Sequence, residues 1–421
     1  MKLFTKFILG LFILSIILFG NLMAGGFQIN EHGAKAMGMG GAFTAQASDP
    51  SAIFFNPAGL GFQKGMNLML GTTLIFPSTK FVGPSPSTAE NKMKSQIFYP
   101  INLYGTYGME NGLTFGIGVF NPFGLGTEWD KDWVGRRLSV KTDLQTFFIN
   151  PSLAYKISDQ FSVGLGVSYV LANVNLKFRV PTYSSLLPPT PSTTDGTAEL
   201  DADGNGFNFN VGVLYKPIDD LSLGLSYRHT TELELEGTAT FTDMQALQTF
   251  FPGGDGKTTI TLPYNILFGI AYNFMPELTI EAGFQYVGWK SYDTLDVQIA
   301  EGPASPLGVL QKSIKTAKDW ENSFLIRIGG EYRMDKFAFR AGYIFDKTPQ
   351  PDKSLEPMLP DADRHEITFG LGYRVSENLC VNFAYQFIMF NERTVTSPTN
   401  LFPGTYKSNA HLFGLNIGYN F

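Results

Sequence analysis

Apolar residues alternate with small or polar residues over most of the chain, and this period of two limits the fold more than any other feature. A period of two is that of a β-strand whose two faces meet different surroundings. The C-terminal residues show it clearly, since one face is largely apolar and the other carries mostly Gly and Asn. The apolar face holds His411, Phe413, Leu415, Ile417, Tyr419 and Phe421. The pattern predicts an all-β protein.

Short polar turns alternate strictly with longer links between the strand-like segments. The six short turns lie near residues 110–112, 158–160, 217–220, 275–277, 334–336 and 376–378. The seven long links lie at about 78–94, 121–145, 181–206, 237–256, 292–321, 346–363 and 391–408. These connections join fourteen strands, and an even number with alternating short and long connections is typical of bacterial barrels. The sequence therefore predicts a 14-stranded antiparallel transmembrane β-barrel over residues 66–421.

The composition fits strands with one oily and one polar face. Charged residues make up 16% and aromatic residues 14% of the 421 residues, and the mean hydropathy is close to zero. A soluble β-sandwich would show the same alternation with its apolar faces inside, so the period alone does not exclude it. A propeller would repeat every ~40–50 residues, and no such repeat is present. The connection lengths and the aromatic ends of many stripes favour the transmembrane barrel.

Residues 1–24 have the features of a secretory signal peptide. Lys2 and Lys6 give a positive start, residues 7–20 form an apolar run, and Ala24 offers a small residue for cleavage. The run is about 14 residues long, whereas a spanning helix needs ~20. An N-terminal membrane anchor is the alternative. We expect cleavage within one or two residues of Ala24 and a multi-pass protein of the bacterial outer membrane.

Several function classes lack support in the sequence. The formal net charge is −6, whereas nucleic-acid partners usually need a basic face. Cys380 is the single cysteine, and the four histidines have no zinc-ligand spacing. Residues 201–206 begin like a calcium-binding loop, but Gly212 stands at the twelfth position, where a bidentate Glu is needed. We expect no catalytic residue, no metal site and no cofactor, with a loose calcium site on an outer loop as the open alternative.

Residues 25–65 show no strand period and precede the first strand. Fourteen strands enclose more space than their own side chains fill, so this segment is a candidate hatch inside the lumen. Asn56, Pro57 and Ala58 form a turn signal, and the neighbouring Phe54 and Phe55 would face a dry cavity. A disordered tail is the alternative, although the low charge of the segment counts against it.

The motifs along residues 26–421 resemble those of the FadL/TodX family of outer-membrane transporters for long-chain fatty acids and aromatic hydrocarbons. The matching motifs are GFQINE at 26–31, DPSA at 49–52, FNPAGL at 55–60, NPFGL at 121–125, WVGR at 133–136, FRAGY at 339–343 and PDADR at 360–364. Each motif is weak alone, but their order on a fourteen-strand layout is specific. The resemblance implies a monomer with a lumenal hatch, in which Phe27, Asn56, Pro57 and Ala58 are hatch residues.

The resemblance also implies a route for the ligand. It would be captured in a groove of two outer loops, move to a lumenal pocket, shift the N-terminal segment and leave sideways at a kinked third strand. The loops here would be 181–206 and 237–256, and the second carries Phe241, Met244, Leu247, Phe250 and Phe251. The kink would lie at Phe120, Asn121 and Pro122, because proline removes a donor from the strand ladder.

Charged residues on the predicted inward faces are a further set of candidates. An ionisable group at membrane depth is a functional hypothesis by default. Arg340 or Arg327 would hold the hatch or bind the carboxylate head group of a ligand. The alternative is an internal ion-pair network with Glu331 and Glu281.

The expected function is transport of hydrophobic small molecules across the outer membrane, with outer-membrane lipid and lipopolysaccharide as surroundings. Three alternatives come from other classes. An outer-membrane lipase or esterase would need a Ser/His/acid set near the rim, and a general porin would need a charged constriction and steady ion conductance. A structural or adhesive barrel would need no apolar cavity.

Overall fold

The chain is described here from a computed structural model, which covers residues 25–299, 313–396, 400 and 402–421. The predicted signal peptide and part of the predicted link 292–321 lie outside the described residues. Short helices occur in the N-terminal segment, namely α1 (Ala34–Gly38), α2 (Ala52–Phe55) and a 3-10 helix at Pro57–Phe62. Further single 3-10 turns lie at Gln248–Phe250, Trp289–Ser291 and Asp352–Ser354. Among the described residues, no helix is long and apolar enough to span a bilayer.

Fourteen antiparallel strands form the wall, and several of them are interrupted. The first seven are β1 (Gly65–Val82), β2 (Ile101–Gly108), β3 (Leu113–Phe120 and Gly124–Glu128), β4 (Lys141–Lys156), β5 (Phe161–Val180), β6 (Gly196–Ile218) and β7 (Leu221–Arg228 and Thr231–Thr242). The others are β8 (Gly254–Leu262 and Asn265–Met275), β9 (Leu278–Val287 and Thr294–Ile299), β10 (Ser313–Ala317 and Ser323–Met334), β11 (Phe337–Asp346), β12 (Arg364–Arg374), β13 (Leu379–Phe390 and Arg393–Val395) and β14 (Gly404–Asn420). Three short segments lie beside the wall, namely Glu90–Lys92 on β1 and a hairpin of Tyr183–Leu186 with Pro189–Pro191.

The sheet closes on itself because the first strand pairs with the last. β1 and β14 are antiparallel partners from Asn67 opposite Asn420 to Val82 opposite Thr405. Every other strand pairs with its neighbour in the chain. The predicted 14-stranded antiparallel barrel is therefore confirmed.

The predicted outer links were too long, because the strands continue into them. β6 already begins at Gly196, inside predicted link 181–206, and β7 continues to Thr242, inside predicted link 237–256. The inward residues Ala198, Leu200 and Ala202 remain buried there, so the alternation persists. The intervening residues are acidic and face solvent, which made this part of the strand look like a loop.

The outer surface of the wall is apolar. On β14, Phe413, Leu415 and Ile417 are exposed, whereas Asn416 between them is buried. Most soluble proteins do not expose an apolar band of this extent, so the surface fits the hydrocarbon of a bilayer.

The N-terminal segment fills the interior. α1 contacts β12 and β13, and the 3-10 helix at Pro57–Phe62 contacts β4, β5 and β6. Nearly all residues of α1, α2 and this 3-10 helix are buried. The hydrophobic core therefore lies between the N-terminal segment and the inward side chains of the wall.

Candidate functional site

The main cavity lies beside residues 26–31 and passes through the wall. Its volume is about 560 Å³, and its lining includes residues 26–31 and inward side chains of β1, β12, β13 and β14. The same lining includes Ile97, Tyr99 and Phe147, which are exposed on the outer surface of the barrel. The cavity therefore connects the lumen with the lipid-facing side.

The third strand is interrupted next to this cavity. β3 stops at Phe120 and resumes at Gly124, which places Asn121 and Pro122 in the gap. The Asn121 side chain replaces part of the missing ladder: its Oδ1 accepts from the Ile101 N–H at 2.9 Å. Its Nδ2 donates to the Thr146 carbonyl at 2.6 Å. The gap is thus held open by one side chain that bridges β2 and β4.

The N-terminal segment pairs with this gap through its backbone. The Ile29 N–H donates to the Pro122 carbonyl at 2.9 Å, and the Gly124 N–H donates to the Phe27 carbonyl at 3.0 Å. Gln28 and Phe123 are the opposed residues of this antiparallel bridge. Residues 27–29 therefore act as a short strand against the interrupted part of β3.

A window without cross-strand hydrogen bonds lies above the gap, within the described residues. It extends from the Lys94 N–H, which donates to the Glu128 carbonyl at 2.7 Å, down to the bond between Ile101 and Asn121. The Phe98 ring covers it, because a Cβ added at Gly126 would overlap that ring. The Phe98 backbone is bonded to Ile75 in both directions, at 2.8 and 3.0 Å, so the side chain is the movable part.

Phe27 lies in a cage of aromatic rings at the inner end of the cavity. Its ring centroid lies 4.7 Å from that of Trp289, 5.4 Å from that of Tyr292 and 5.8 Å from that of Trp320. Gly26 precedes it with φ at +82°, and a Cβ there would approach Trp289 and Trp320 to 2.7 Å. Any larger residue at position 26 would disturb the cage.

Polar groups of the wall hold the start of the N-terminal segment. The Gly26 N–H donates to Asp361 Oδ2 at 3.0 Å. Arg364 donates to the Gly26 carbonyl at 2.6 Å and pairs with Asp361 Oδ1 at 2.6 Å. The PDADR motif contains both Asp361 and Arg364, but no sequence pattern predicted their contact with residue 26.

Asn56 connects three parts of the interior. Its Nδ2 donates to the Thr44 carbonyl at 2.9 Å and to the Val213 carbonyl of β6 at 3.1 Å. Its Oδ1 accepts from the Ala58 N–H at 3.1 Å. Asn56 thus ties the N-terminal segment to the wall on the side opposite to residue 26.

Pro57 and Ala58 begin the 3-10 helix that follows. The Ser162 hydroxyl of β5 donates to the Ala58 carbonyl at 2.5 Å. A Cβ at Gly164 would overlap the Pro57 carbonyl carbon, so the helix lies directly on β5. The residues of the predicted turn therefore form a contact between the N-terminal segment and the wall.

Phe54 and Phe55 lie deep in the core and do not line the main cavity. Their ring centroids are 4.9 Å apart, and Phe54 lies 5.6 Å from Phe120 and 3.9 Å from His32. The guanidinium of Arg228 lies 5.5 Å from the Phe54 centroid. The sequence analysis expected these two rings to face a dry cavity, whereas they pack inside the hydrophobic core below the main cavity.

The five apolar residues predicted for the second outer loop lie at the end of β7 and in the loop after it, and none of them lines the main cavity. Met244 and Leu247 are buried, and the rings of Phe241 and Phe251 lie 5.2 Å apart. Phe250 ends the 3-10 turn of this loop. The Ala246 N–H donates to the Tyr183 carbonyl at 3.0 Å, which joins the two outer loops that the family resemblance assigned to the groove.

Arg340 lies near the opposite end of the barrel from these loops. Its Nε donates to Glu331 Oε2 at 2.7 Å and its Nη1 to Asn382 Oδ1 at 2.9 Å. It lines a separate cavity of about 390 Å³. Glu281 is not its partner, because the Glu281 oxygens accept from the Ala45 and Gln46 N–H groups at 2.8 and 2.9 Å.

A second, smaller cavity of about 30 Å³ adjoins the main one, and Phe27 and Leu125 line both. Its lining is mostly apolar but includes Lys318, whose side chain is 2% exposed and forms an ion pair with Glu356. Burial alone would lower the pKa of Lys318, but Tyr292 and Glu356 outweigh it and raise that pKa. The sequence did not indicate Lys318, because it lies within a predicted outer link.

Comparison with known proteins matched nearly the whole chain to one family. Residues 16–421 match the family model for outer membrane protein transport proteins (OMPP1/FadL/TodX). The chain is 25% identical over 434 residues to the long-chain fatty acid transport protein of Escherichia coli O6:H1, with 94% of each covered. It is 24% identical to outer membrane protein P1 of Haemophilus influenzae, with 96% of each covered.

Solved structures show the same fold. A Pseudomonas aeruginosa FadL homologue aligns with a TM-score of 0.81 at 21% identity, covering 94% of this chain and 100% of that one. The Pseudomonas putida toluene transporter TodX aligns with a TM-score of 0.73 at 20% identity, covering 93% and 98%. Proteins of this family are transporters or channels rather than enzymes, and this barrel lies in the bacterial outer membrane. The chain belongs to the OMPP1/FadL/TodX family of outer membrane transport proteins.

Proposed function

We propose that the N-terminal segment is a hatch that controls the passage of a hydrophobic small molecule from the outer loops to the bilayer. The ligand is captured between the two outer loops and moves into the main cavity. It then displaces residues 27–29 and leaves through the wall beside the interrupted strand. The observation that carries this proposal is the backbone pairing of residues 27–29 with residues 122–124, directly beside the cavity.

The free energy gained by burying the ligand can offset the cost of displacing residues 27–29. Breaking the two backbone hydrogen bonds of the bridge costs about 1–3 kcal/mol, at ~0.5–1.5 kcal/mol for each bond. Burial of apolar ligand surface returns roughly 25 cal/mol per Å², so about 100 Å² of ligand surface offsets that cost. A small lipophile exposes more surface than this, and it can therefore compete with residues 27–29 for their place.

Lateral release spares the ligand a return to water. The main cavity is bounded by exposed Ile97, Tyr99 and Phe147 on the lipid side, and the Phe98 ring covers the window between them. Rotation of this one ring would open the window without breaking any strand pairing. The ring pair of Phe241 and Phe251 supplies an apolar surface for the first capture, since it lies beside the joined outer loops.

A disulfide across the bridge tests the hatch. Gln28 and Phe123 are opposed in an antiparallel bridge, where Cα atoms lie ~4.5–5.5 Å apart, within the range of a disulfide. We expect the pair Gln28→Cys and Phe123→Cys, in a Cys380→Ser background, to lose uptake of a labelled lipophile when oxidised and to regain it on reduction.

A second disulfide provides the control. Asn273 and Thr279 are opposed on β8 and β9, and their side chains form a hydrogen bond of 2.8 Å. Cysteines at these positions should leave uptake unchanged in both redox states. Full uptake with the bridge of residues 28 and 123 completely oxidised would refute the hatch.

A further inference from the structure

The separate cavity that Arg340 lines has an excess of basic side chains. It lies at the end of the barrel with the short turns, which bacterial barrels place at the periplasm. Six basic and three acidic residues line it, namely Lys35, Lys64, Arg333, Lys336, Arg340 and Arg374 against Asp49, Glu331 and Asp335. The whole chain has a formal net charge of −6, so this surplus of three basic groups is a local feature.

Glu331 does not cancel the basic character of the cavity, because three basic side chains surround it. Its Oε2 accepts from Arg340 Nε at 2.7 Å. Lys35 Nζ and Arg333 Nε lie 4.0 and 3.9 Å from the same carboxylate. One carboxylate is thus shared among three basic groups.

Three further basic side chains have no hydrogen-bond or ion-pair partner among the described residues, and all three are exposed. They are Lys64, which precedes β1, Lys336, which precedes β11, and Arg374, which ends β12. The Arg374 N–H donates to the Lys336 carbonyl at 2.8 Å, so these two residues are neighbours on the wall. A ligand could contact these side chains without displacing another part of the chain.

The other two acidic residues compete little for these basic groups. Asp49 Oδ1 accepts from the Ser51 N–H at 2.9 Å and from the Ser51 hydroxyl at 2.5 Å, so that oxygen is engaged within its own turn. Asp335 lies in the short turn before β11 and forms no ion pair with another described residue. The unpaired basic side chains therefore outnumber the unpaired carboxylates.

The cavity lies between the N-terminal segment and the wall, and it reaches the rim of the barrel. Lys35 and Lys64 come from the N-terminal segment, whereas Arg374 comes from β12. Leu68 and Phe337 also line the cavity, and both are exposed on the outer surface of the barrel. The site is therefore open to the level of the periplasmic lipid head groups as well as to water.

Arginine and lysine side chains are the usual partners of phosphate, since a guanidinium offers parallel N–H donors and an ammonium offers a compact charge. We propose that this cavity binds a phosphate group, either on the head group of an inner-leaflet phospholipid or as free phosphate. The bound anion lies between Lys64 of the N-terminal segment and Lys336 and Arg374 of the wall, so it connects the two. The proposal does not depend on the proposed transport function.

Two binding measurements on the detergent-extracted protein distinguish the two sources. Native mass spectrometry with equal amounts of two lipids tests the lipid source. We expect phosphatidylglycerol to be retained in roughly fivefold excess over phosphatidylcholine, whose head group carries a compensating cation. Titration calorimetry with sodium phosphate at constant ionic strength tests the free anion. Binding in either measurement supports the site and identifies its source, whereas no lipid preference together with no phosphate binding would overturn it.

A double variant locates the binding. Lys336→Gln with Arg374→Gln should weaken it by roughly tenfold, the order expected when hydrogen bonds to a charged group are lost. Lys156→Gln with Lys216→Gln is the matched control, because it removes two basic groups at the same end of the barrel and neither residue lines the cavity. The folded band on unheated gels verifies both variants. Unchanged binding in the first variant, or an equal loss in the control, would contradict the proposed site.

Discussion

Arg340 shows how far the role of a residue depends on its neighbours. Its side chain is paired with Glu331 and Asn382, and both members of the ion pair are 4% exposed in their side chains. Lys35 and Arg333 lie 4.0 and 3.9 Å from Glu331 as secondary partners. These contacts fit the ion-pair alternative of the sequence analysis for Glu331, whereas Glu281 serves the backbone of the N-terminal segment.

We therefore predict that Arg340→Ala lowers stability and spares uptake. Loss of one partner from a buried pair costs about 3 kcal/mol, the low end of the usual range, because Lys35 and Arg333 still face Glu331. Urea unfolding in detergent would measure the loss, and uptake per folded barrel should stay within twofold. Arg333→Ala, at a half-exposed side chain, is the control; abolished uptake in Arg340→Ala would instead place Arg340 on the ligand route.

At the scale of elements, the interrupted β3 is the part of the wall where pairing is least complete. Pro122 cannot donate to the ladder, and Asn121 supplies side-chain bonds in its place. The N-terminal segment then adds two backbone bonds from inside. The Phe98 ring lies over Gly126 in the window above this point, so we expect this ring to contribute to the barrier.

The prediction at this scale is that Phe98→Ala raises the initial uptake rate. Removal of the ring should increase the rate between about twofold and tenfold, which corresponds to a barrier change of up to ~1.4 kcal/mol. Uptake of a labelled hydrocarbon into cells at matched barrel levels would measure it. Tyr107→Ala is the control, because that ring is 54% exposed on β2 and lies outside the cavity lining; slower uptake in Phe98→Ala would argue against a covering ring.

At the scale of the whole molecule, the barrel is a wide cylinder whose interior is occupied by its own N-terminal segment. Anchors reach this segment from several sides of the wall, through Asp361, Glu281, Ser162 and Val213. A general porin would have an open aqueous path instead. The two arrangements differ sharply in ion flow.

We predict that the intact protein shows no steady ion conductance in planar bilayers. Deletion of residues 27–62 should produce a large and lasting conductance, because the lumen of fourteen strands is then unfilled. Single-channel recording distinguishes the two, and retention of the folded band on unheated gels verifies the deleted barrel. Steady conductance of the intact chain would favour the porin alternative.

The wall could be predicted from the sequence, because lipid and lumen impose different residues on alternate positions. The outer ends of β6 and β7 were missed, since acidic and other polar residues occupy their outward face there, although the inward face stays apolar and buried. The position of the strand gap could be predicted from Pro122, because proline has no backbone N–H to donate to the strand ladder. The residues that pair with this gap could not be predicted, because residues 27–29 reach it only after the chain folds back inside the barrel.

The ligand space was harder to predict for the same reason. Phe98 and Lys318 lie in stretches without a strand period, and nothing local shows that one covers Gly126 or that the other meets Glu356. Phe54 and Phe55 are buried, but their depth relative to the cavity depends on how α2 sits against Phe120. Such distances are set by tertiary packing and not by spacing along the chain.

The contacts of the N-terminal segment also constrain the order of folding. The Ala34 N–H donates to the Asn416 side chain on β14, and the Thr368 hydroxyl of β12 donates to the Gly38 carbonyl at 3.1 Å. These partners lie more than 300 positions further along the chain, and contacts over such separations form late. The N-terminal segment is synthesised before the strands that hold it and is therefore among the last parts to acquire its native structure, and a chain truncated before β14 would leave it without a complete binding surface.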